Sequence, residues 1–126
     1  MSSCRLSRRS LGAAAEAFVA AHLEAQGYSI RARNWRSPFG EIDLIVEGEG
    51  WLRFIEVRAR RNDRFGPPEE SLTPRKRRRL LQTALAYLGQ LEGPEPCWRV
   101  DLASVALDAQ GRPVAVTFFE NILEKW

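Results

Sequence analysis

Residues 40–46 read GEIDLIV and residues 52–58 read LRFIEVR. Each stretch places apolar residues on both faces of an extended chain, which is typical of a strand that is covered on both sides of a sheet. A Gly-Glu-Gly turn at residues 48–50 lies between the two stretches and predicts that they form a hairpin. Asp43 and Glu56 are therefore predicted to be carboxylates within core strands.

The hairpin is predicted to bring these two carboxylates together. Where the numbers of paired residues have an odd sum such as 99, Asp43 stands directly across from Glu56, with Cβ atoms about 5 Å apart. An even sum would send the two side chains to opposite faces of the sheet. Because an unpaired buried carboxylate is costly, each side chain needs a cation, a metal ion or a set of hydrogen bonds.

Two interpretations of these carboxylates stay open at this point. Converging carboxylates with basic neighbours suit a hard cation such as Mg²⁺ or Mn²⁺, which can activate water and stabilise a phosphate during its transfer. Alternatively, Arg58, Arg60 or another guanidinium neutralises Asp43 and Glu56 in a buried ion pair. The first interpretation predicts a metal-dependent site, and the second predicts a structural one.

The segments on either side of the hairpin predict an α/β fold. Apolar residues recur at helical spacing before Gly27, and Thr73-Pro74 supplies an N-cap and a first-turn proline for a second helix. Besides the hairpin, the predicted elements are a helix from Leu11 to Leu23, a strand from Tyr28 to Arg33, a helix from Pro74 that Gly93-Pro94 closes, and strands at 97–107 and 114–119. The predicted order of elements is αβββαββ.

Length and composition indicate one domain over residues 1–126, with residues 1–9 as a flexible N-terminal segment. Hydrophobic residues make up 44% of the chain and charged residues 28%, close to the averages of globular proteins. No stretch approaches the roughly 18 uninterrupted apolar residues of a membrane helix, so we expect a soluble protein without a membrane partner. Two cysteines without a signal peptide indicate reduced thiols and a cytoplasmic location.

The 19 basic residues are clustered more strongly than the net charge of +3 implies. Runs occur at 31–36, 58–64 and 75–79, and such clustering is the electrostatic footprint of proteins that meet phosphate backbones. The last run lies in the first turns of the second predicted helix, where the macrodipole disfavours cations, which favours nucleic-acid contact over mere solubility. The residues predicted to bind nucleic acid are Arg60, Arg75, Lys76, Arg77 and Arg79.

The two strand segments resemble the PD-(D/E)xK nuclease motif, and in detail the YraN family of bacterial proteins. Residues 40–45 and 54–60, which read GEIDLI and FIEVRAR, carry this resemblance. Further positions that match the family pattern are Glu16, Gly27-Tyr28, Arg33-Asn34-Trp35, Phe65-Gly66, Lys76 and Arg99-Val100-Asp101. The resemblance thus covers most of the chain.

This resemblance implies the restriction-endonuclease-like fold, a mixed β-sheet flanked by helices, and relates the chain to archaeal Holliday-junction resolvases. It implies a Mg²⁺ or Mn²⁺ site with Asp43 and Glu56 as metal ligands, Glu41 in an assisting position, and Glu16 in reach of the metal through water. Nucleic acid, in particular DNA, is the implied partner, and a homodimer as in the resolvases is left open.

Arg58 departs from the motif, which has lysine at this position. A lysine can orient the attacking water, and its own pKa can shift, whereas arginine stays charged and binds as a planar fork. Arg58 is therefore predicted to stabilise charge on the scissile phosphate and not to act as a base.

Three functional hypotheses follow from these features. The first is a metal-dependent nuclease that hydrolyses phosphodiester bonds of DNA, branched or damaged, with Asp43, Glu56 and Arg58 as catalytic residues. The second is a catalytically silent nucleic-acid-binding protein that kept the nuclease fold while Arg58 closed the metal site with salt bridges. The third is a protein-interaction domain whose basic runs are solvated surface.

Overall fold

The computed structural model of the protein describes residues 8–61 and 72–123, with side chains from residue 11 onward. Its elements are α1 (Arg8–Ala25), β1 (Ser29–Ser37), β2 (Gly40–Gly48), β3 (Trp51–Arg60), α2 (Pro74–Gly89), β4 (Trp98–Leu107) and β5 (Pro113–Phe119). The predicted order αβββαββ is confirmed. Residues 1–7 of the segment predicted to be flexible, and the Phe65-Gly66 step, lie outside the described residues.

The five described strands form one mixed sheet in the order β1-β2-β3-β4-β5. The first three strands follow one another through tight turns and are antiparallel. β3 and β4 are parallel because α2 carries the chain back along the sheet between them, as a parallel crossover requires. β5 returns antiparallel to β4. The predicted mixed sheet flanked by helices is therefore confirmed.

The turn between β2 and β3 sets the register of the central hairpin. Residues 49–50 form a two-residue loop with φ angles of 53° and 82°, the left-handed conformations that a type I′ turn requires. From this turn the ladder continues to Leu44, which lies opposite Ile55. The numbers of paired residues sum to 99, the odd alternative of the two that the sequence left open, so the next residues along the two strands are Asp43 and Glu56.

One helix covers each face of the sheet. α1 buries Val19 and Leu23 against the face that carries Ile55. α2 buries Leu80 and Leu88 against the opposite face. Because side chains alternate along a strand, a strand between two helices is apolar at consecutive positions, which is the pattern that predicted the hairpin. Within the described part of the chain, no helix has both the length and the apolar character that a membrane span requires.

β1 and α2 differ from their predicted bounds. β1 continues past the predicted end at Arg33 to Ser37, because its polar residues pair with β2 along the edge of the sheet. α2 ends at Gly89, before the predicted stop at Gly93, and backbone N–H groups of the following turn reach back to its last carbonyl groups. Leu91, which the helical pattern included, is consequently outside the helix and 38% exposed.

A buried ion-pair network joins β3, β4 and the segment after β5. Asp101 is fully buried, and its Oδ2 accepts hydrogen bonds from Nε of Arg53 at 2.7 Å and from Nε of Arg99 at 3.1 Å. Its Oδ1 accepts from the backbone N–H of Asn121 at 2.8 Å. The guanidinium of Arg53 also lies 5.1 Å from the centre of the Tyr28 ring, within cation–π range. The buried carboxylate of Asp101 therefore links β3, β4 and the segment after β5.

We expect Asp101→Ala to lower the free energy of unfolding by about 3–5 kcal/mol, because it leaves Arg53 buried without a counter-charge. The control is Glu47→Gln, which alters the exposed Arg31–Glu47 ion pair and should cost less than about 1 kcal/mol. Urea unfolding followed by tryptophan fluorescence measures both variants. Equal losses of stability would contradict the role assigned to Asp101.

Candidate active site

The candidate site lies where β2 and β3 part. Backbone pairing between the two strands runs as far as Leu44 and Ile55. Beyond that pair, the backbone N–H of Val57 donates to Oδ2 of Asp43 at 2.8 Å. A side-chain carboxylate thus continues the ladder in place of a backbone carbonyl, and this charge-assisted hydrogen bond holds Asp43 against β3.

Asp43 and Glu56 meet as a hydrogen-bonded pair of carboxyl groups, called the carboxylate pair from here on. Burial, together with the neighbouring charge of Asp43, raises the pKa of Glu56 to about 8. Burial also raises the pKa of Asp43, although the N–H of Val57 and the hydrogen bond from Glu56 oppose that rise. Near neutral pH Glu56 therefore holds a proton, which its hydrogen bond shares with Asp43.

Glu16 and Glu41 lie beside the carboxylate pair and are bridged by Asn34. With its amide nitrogen facing both acids, Asn34 donates to Oε1 of Glu16 at 3.0 Å and to Oε1 of Glu41 at 3.2 Å. Burial, followed by the charge of Asp43, raises the pKa of Glu16. α1, β1 and β2 therefore each supply one polar side chain to the surroundings of Asp43.

The role of Asn34 was missed by the sequence analysis, which placed this residue only within the family pattern. Asn34 has a φ of 50°, a left-handed conformation that asparagine adopts several times more often than most residues. An asparagine just after a predicted strand was the available signal, because this residue type tolerates such a break in a strand. The pattern could not show which acids the side chain would contact.

The guanidinium of Arg58 contacts the carboxyl group of Glu56 on the same face of β3. Its Nη2 lies 3.2 Å from Oε2 of Glu56, as the two-residue repeat of a strand allows. The Nε of Arg58 is buried and has no hydrogen-bond partner among the described residues. A buried N–H group without an acceptor is costly. Glu56 is therefore contacted by the guanidinium of Arg58 and by the carboxyl group of Asp43.

An open pocket beside Glu56 joins the acids of the sheet to the basic run of α2. The residues that line it are Gly40, Glu41, Glu56, Arg58, Lys76, Arg79 and Leu80. The charge of Lys76 opposes the rise in the pKa of Glu56, so the two side chains are within electrostatic reach of each other. Acidic side chains from the sheet and basic side chains from α2 therefore line the same pocket.

The residues predicted to bind nucleic acid lie in different surroundings. Lys76 and Arg79 line the pocket. Arg77 donates to two backbone carbonyl groups, one before α2 and one after β5, so its guanidinium already holds parts of the chain together. Arg75 is exposed on α2. Arg60 lies at the end of β3 and, by strand alternation, on the face that carries the pocket.

The donors of the carboxylate pair suit a hard divalent cation. Carboxylate oxygens are the ligands that Mg²⁺ and Mn²⁺ prefer in proteins. Within residues 8–61 and 72–123, no three His, Cys, Asp or Glu side chains are arranged to hold a metal ion. Mg²⁺ commonly takes only one or two protein carboxylates and completes its shell with water and substrate phosphates. Asp43 and Glu56 are therefore the residues that could hold such a cation.

Comparison with known proteins shows which family carries this site. The sequence model of the family described as “Uncharacterised protein family UPF0102” matches residues 15–105. The chain belongs to the UPF0102 family. The UPF0102 protein of Symbiobacterium thermophilum is 45% identical over 107 residues, which cover 85% of this chain and 90% of the relative. The UPF0102 protein of Moorella thermoacetica is 42% identical over 111 residues, which cover 88% of this chain and 92% of the relative.

The residues matched by the UPF0102 model include the acidic residues of the site and the start of α2. Residues 15–105 contain Glu16, Asp43, Glu56 and Lys76. A third UPF0102 protein, from Nocardia farcinica, is 40% identical over 107 residues, which cover 85% of this chain and 84% of the relative. The predicted YraN-like family is therefore confirmed. The family description names no activity.

The raised pKa of Glu56 predicts how stability depends on pH. In the unfolded chain Glu56 loses its proton near its ordinary pKa of 4.5, whereas the folded protein keeps that proton up to a pKa of about 8. Between these values the folded state binds more protons than the unfolded state. Its stability therefore falls as pH rises, by at most about 1.4 kcal/mol per pH unit from this group.

We expect Glu56→Gln to flatten this slope and to raise the melting temperature at about pH 8, because glutamine keeps a neutral hydrogen-bonding side chain. Thermal unfolding in EDTA from about pH 5 to pH 9 measures the effect, with Glu92→Gln, an exposed site after α2, as the control. Parallel curves of stability against pH for the wild type and Glu56→Gln would contradict the assignment.

Proposed function

We propose that this UPF0102 protein is a metal-dependent nuclease of the PD-(D/E)xK superfamily that hydrolyses phosphodiester bonds of DNA. The observation that carries the proposal is the carboxylate pair, Asp43 and Glu56, next to a pocket whose helical side is basic. Acidic oxygens attract a divalent cation, and basic side chains attract a phosphate. Metal-dependent hydrolysis of a phosphodiester requires the cation and the phosphate to bind next to each other.

Asp43 and Glu56 would hold Mg²⁺ or Mn²⁺, with Glu41 and Glu16 beside them. When bound, such a cation activates water and stabilises negative charge on the phosphate. The N–H of Val57 favours the ionised form of Asp43 and fixes its orientation, so this carboxylate is positioned before any ligand arrives. Glu56 must release its proton to become a ligand, which makes the occupancy of the site dependent on pH.

Hydrolysis also needs fixed positive charge near the phosphate. Water adds to phosphorus while the bond to the leaving oxygen breaks, which yields one phosphate monoester and one hydroxyl end. Negative charge on the phosphate oxygens is stabilised by cations that are already in place. Arg58 lines the pocket beside Glu56, so we assign its guanidinium a contact with the phosphate.

The basic residues around the pocket support DNA as the substrate. Arg79 lines the pocket, Arg75 is exposed on the same helix, and Arg60 lies further along β3. Contacts of this kind with phosphates supply affinity without reading base sequence. They suit a DNA that is recognised by its shape, such as a branched or damaged structure. A homodimer like that of the resolvases stays a prediction.

A catalytically silent nucleic-acid-binding protein is the second candidate, and the contact between Arg58 and Glu56 is the observation that favours it. A guanidinium 3.2 Å from Glu56 competes with a metal ion for the same carboxylate. In a silent protein this competition would keep the cation out, and the fold and basic pocket would serve binding alone. Binding would then weaken steeply with salt and would not depend on divalent metal.

A nuclease with this site is expected to cut at least one DNA of a panel that contains single-stranded, duplex, flap and four-way-junction substrates when Mg²⁺ or Mn²⁺ is added. Asp43→Ala should lower the cleavage rate by about 10²-fold or more, because it removes a metal ligand and the acceptor of the Val57 N–H. Gel assays under single-turnover conditions measure the rate. Glu92→Ala removes an exposed carboxylate and should leave the rate unchanged.

The same panel separates the two candidates. Cleavage that survives Asp43→Ala would contradict the proposed site. If the wild type binds DNA and never cuts it, while Arg58→Lys does cut, the silent protein is established and the nuclease proposal is wrong for the natural chain.

A further inference from the structure

The basic residues in the first turns of α2 point in different directions. Lys76 and Arg79 line the pocket together with Leu80, at the spacing that puts residues on one side of a helix. Arg77 reaches backbone carbonyl groups instead, and Arg78 is exposed and does not belong to the pocket lining. Lys76 and Arg79 are therefore the two cations of this run that face Glu56, because they lie on one side of the helix.

Packing of α2 on the sheet fixes the backbone that carries these two cations. Oγ1 of Thr73 accepts the N–H of Lys76 at 3.2 Å and caps the helix. Oγ1 of Thr83 donates to the carbonyl of Arg79 at 2.8 Å. A Cβ atom on Gly40 would lie 3.5 Å from Oγ1 of Thr83, so the helix approaches the start of β2 closely. The start of α2 is thus held at the mouth of the acidic site.

Lys76 differs from Arg58, the cation that the sheet contributes to the pocket. Arg58 is paired with Glu56, whereas Lys76 forms no ion pair with any residue in the described part of the chain. A lysine ammonium is a compact charge with three rotatable donors on a flexible stem, so it can follow an anion that enters the pocket. The space beside Glu56 therefore offers a phosphate an available cation from the helix.

We propose that Lys76 is a catalytic residue whose ammonium group donates to a non-bridging oxygen of the phosphodiester that is cleaved. This inference rests on the proposed nuclease function and specifies its substrate contact. The phosphate would sit between the carboxylate pair and the first turns of α2. Negative charge on that oxygen grows as water adds to phosphorus, so the contact stabilises the transition state more than the bound substrate.

Lys76→Ala is expected to lower kcat about 10²- to 10³-fold on the DNA that the wild type cuts best. The Kd for the same DNA, measured by fluorescence anisotropy in Ca²⁺ and again in EDTA, should rise less than about fivefold, because one phosphate contact is lost from many. Lys76→Arg keeps the charge and should recover part of kcat, whereas Lys76→Met should recover none.

Arg78→Ala is the matched control, because it removes the same charge from the same helical turn outside the pocket. It should leave kcat unchanged and raise Kd no more than Lys76→Ala does. Equal effects of the two variants on kcat would overturn the role of Lys76 and leave the nuclease proposal standing. Failure of the wild type to cut any substrate with either metal would overturn both proposals, and it would be seen without any Lys76 variant.

Discussion

The hydrogen bond from the Val57 N–H to the Asp43 carboxylate is the contact on which the site depends. It occupies the place where the ladder between β2 and β3 would otherwise continue, so the two strands part around a side chain instead of a backbone carbonyl. Glu56 lies beside Asp43 at this point, and burial together with the charge of Asp43 raises the pKa of Glu56 to about 8. Because the folded protein keeps the proton of Glu56 to higher pH than the unfolded chain does, the pair lowers the stability of the fold as pH rises. Perturbed acids in such a place are characteristic of functional sites.

The topology of the sheet brings basic residues to this acidic pair. β3 and β4 are parallel, and a parallel pair needs a crossover, which α2 provides. The crossover helix starts next to the half of β3 that carries Glu56 and Arg58, so Lys76 and Arg79 face the acids across one pocket. α1 adds Glu16, which shares the amide of Asn34 with Glu41. The fold therefore brings together acidic and basic side chains that are far apart in sequence.

Local patterns were sufficient to predict the hairpin and, for an odd register, the meeting of its two acids. The turn at residues 49–50 adopts the conformation that Gly-containing two-residue loops favour, and the turn determines which residues pair. Helical spacing likewise predicted α1 and α2, although the end of α2 depends on packing that the spacing does not record. Helix geometry determines how the side chains of residues 75–79 are arranged around the axis of α2. Which of them face the site depends on where α2 packs on the sheet. For the same reason the contacts of Asn34 with Glu16 and Glu41 could not be predicted, since three separate elements must assemble first.

Titration with paramagnetic Mn²⁺, followed by ¹H–¹⁵N NMR spectroscopy, tests most directly whether the carboxylate pair is a cation site. At substoichiometric Mn²⁺ the amide signal of Val57, whose N–H is bonded to Asp43, should broaden first. Signals of Glu92 and Glu95, exposed acids in the segment after α2, should stay sharp at the same concentration. Asp43→Asn should abolish the selective broadening. Broadening that follows the exposed acids, or that survives Asp43→Asn, would contradict the account.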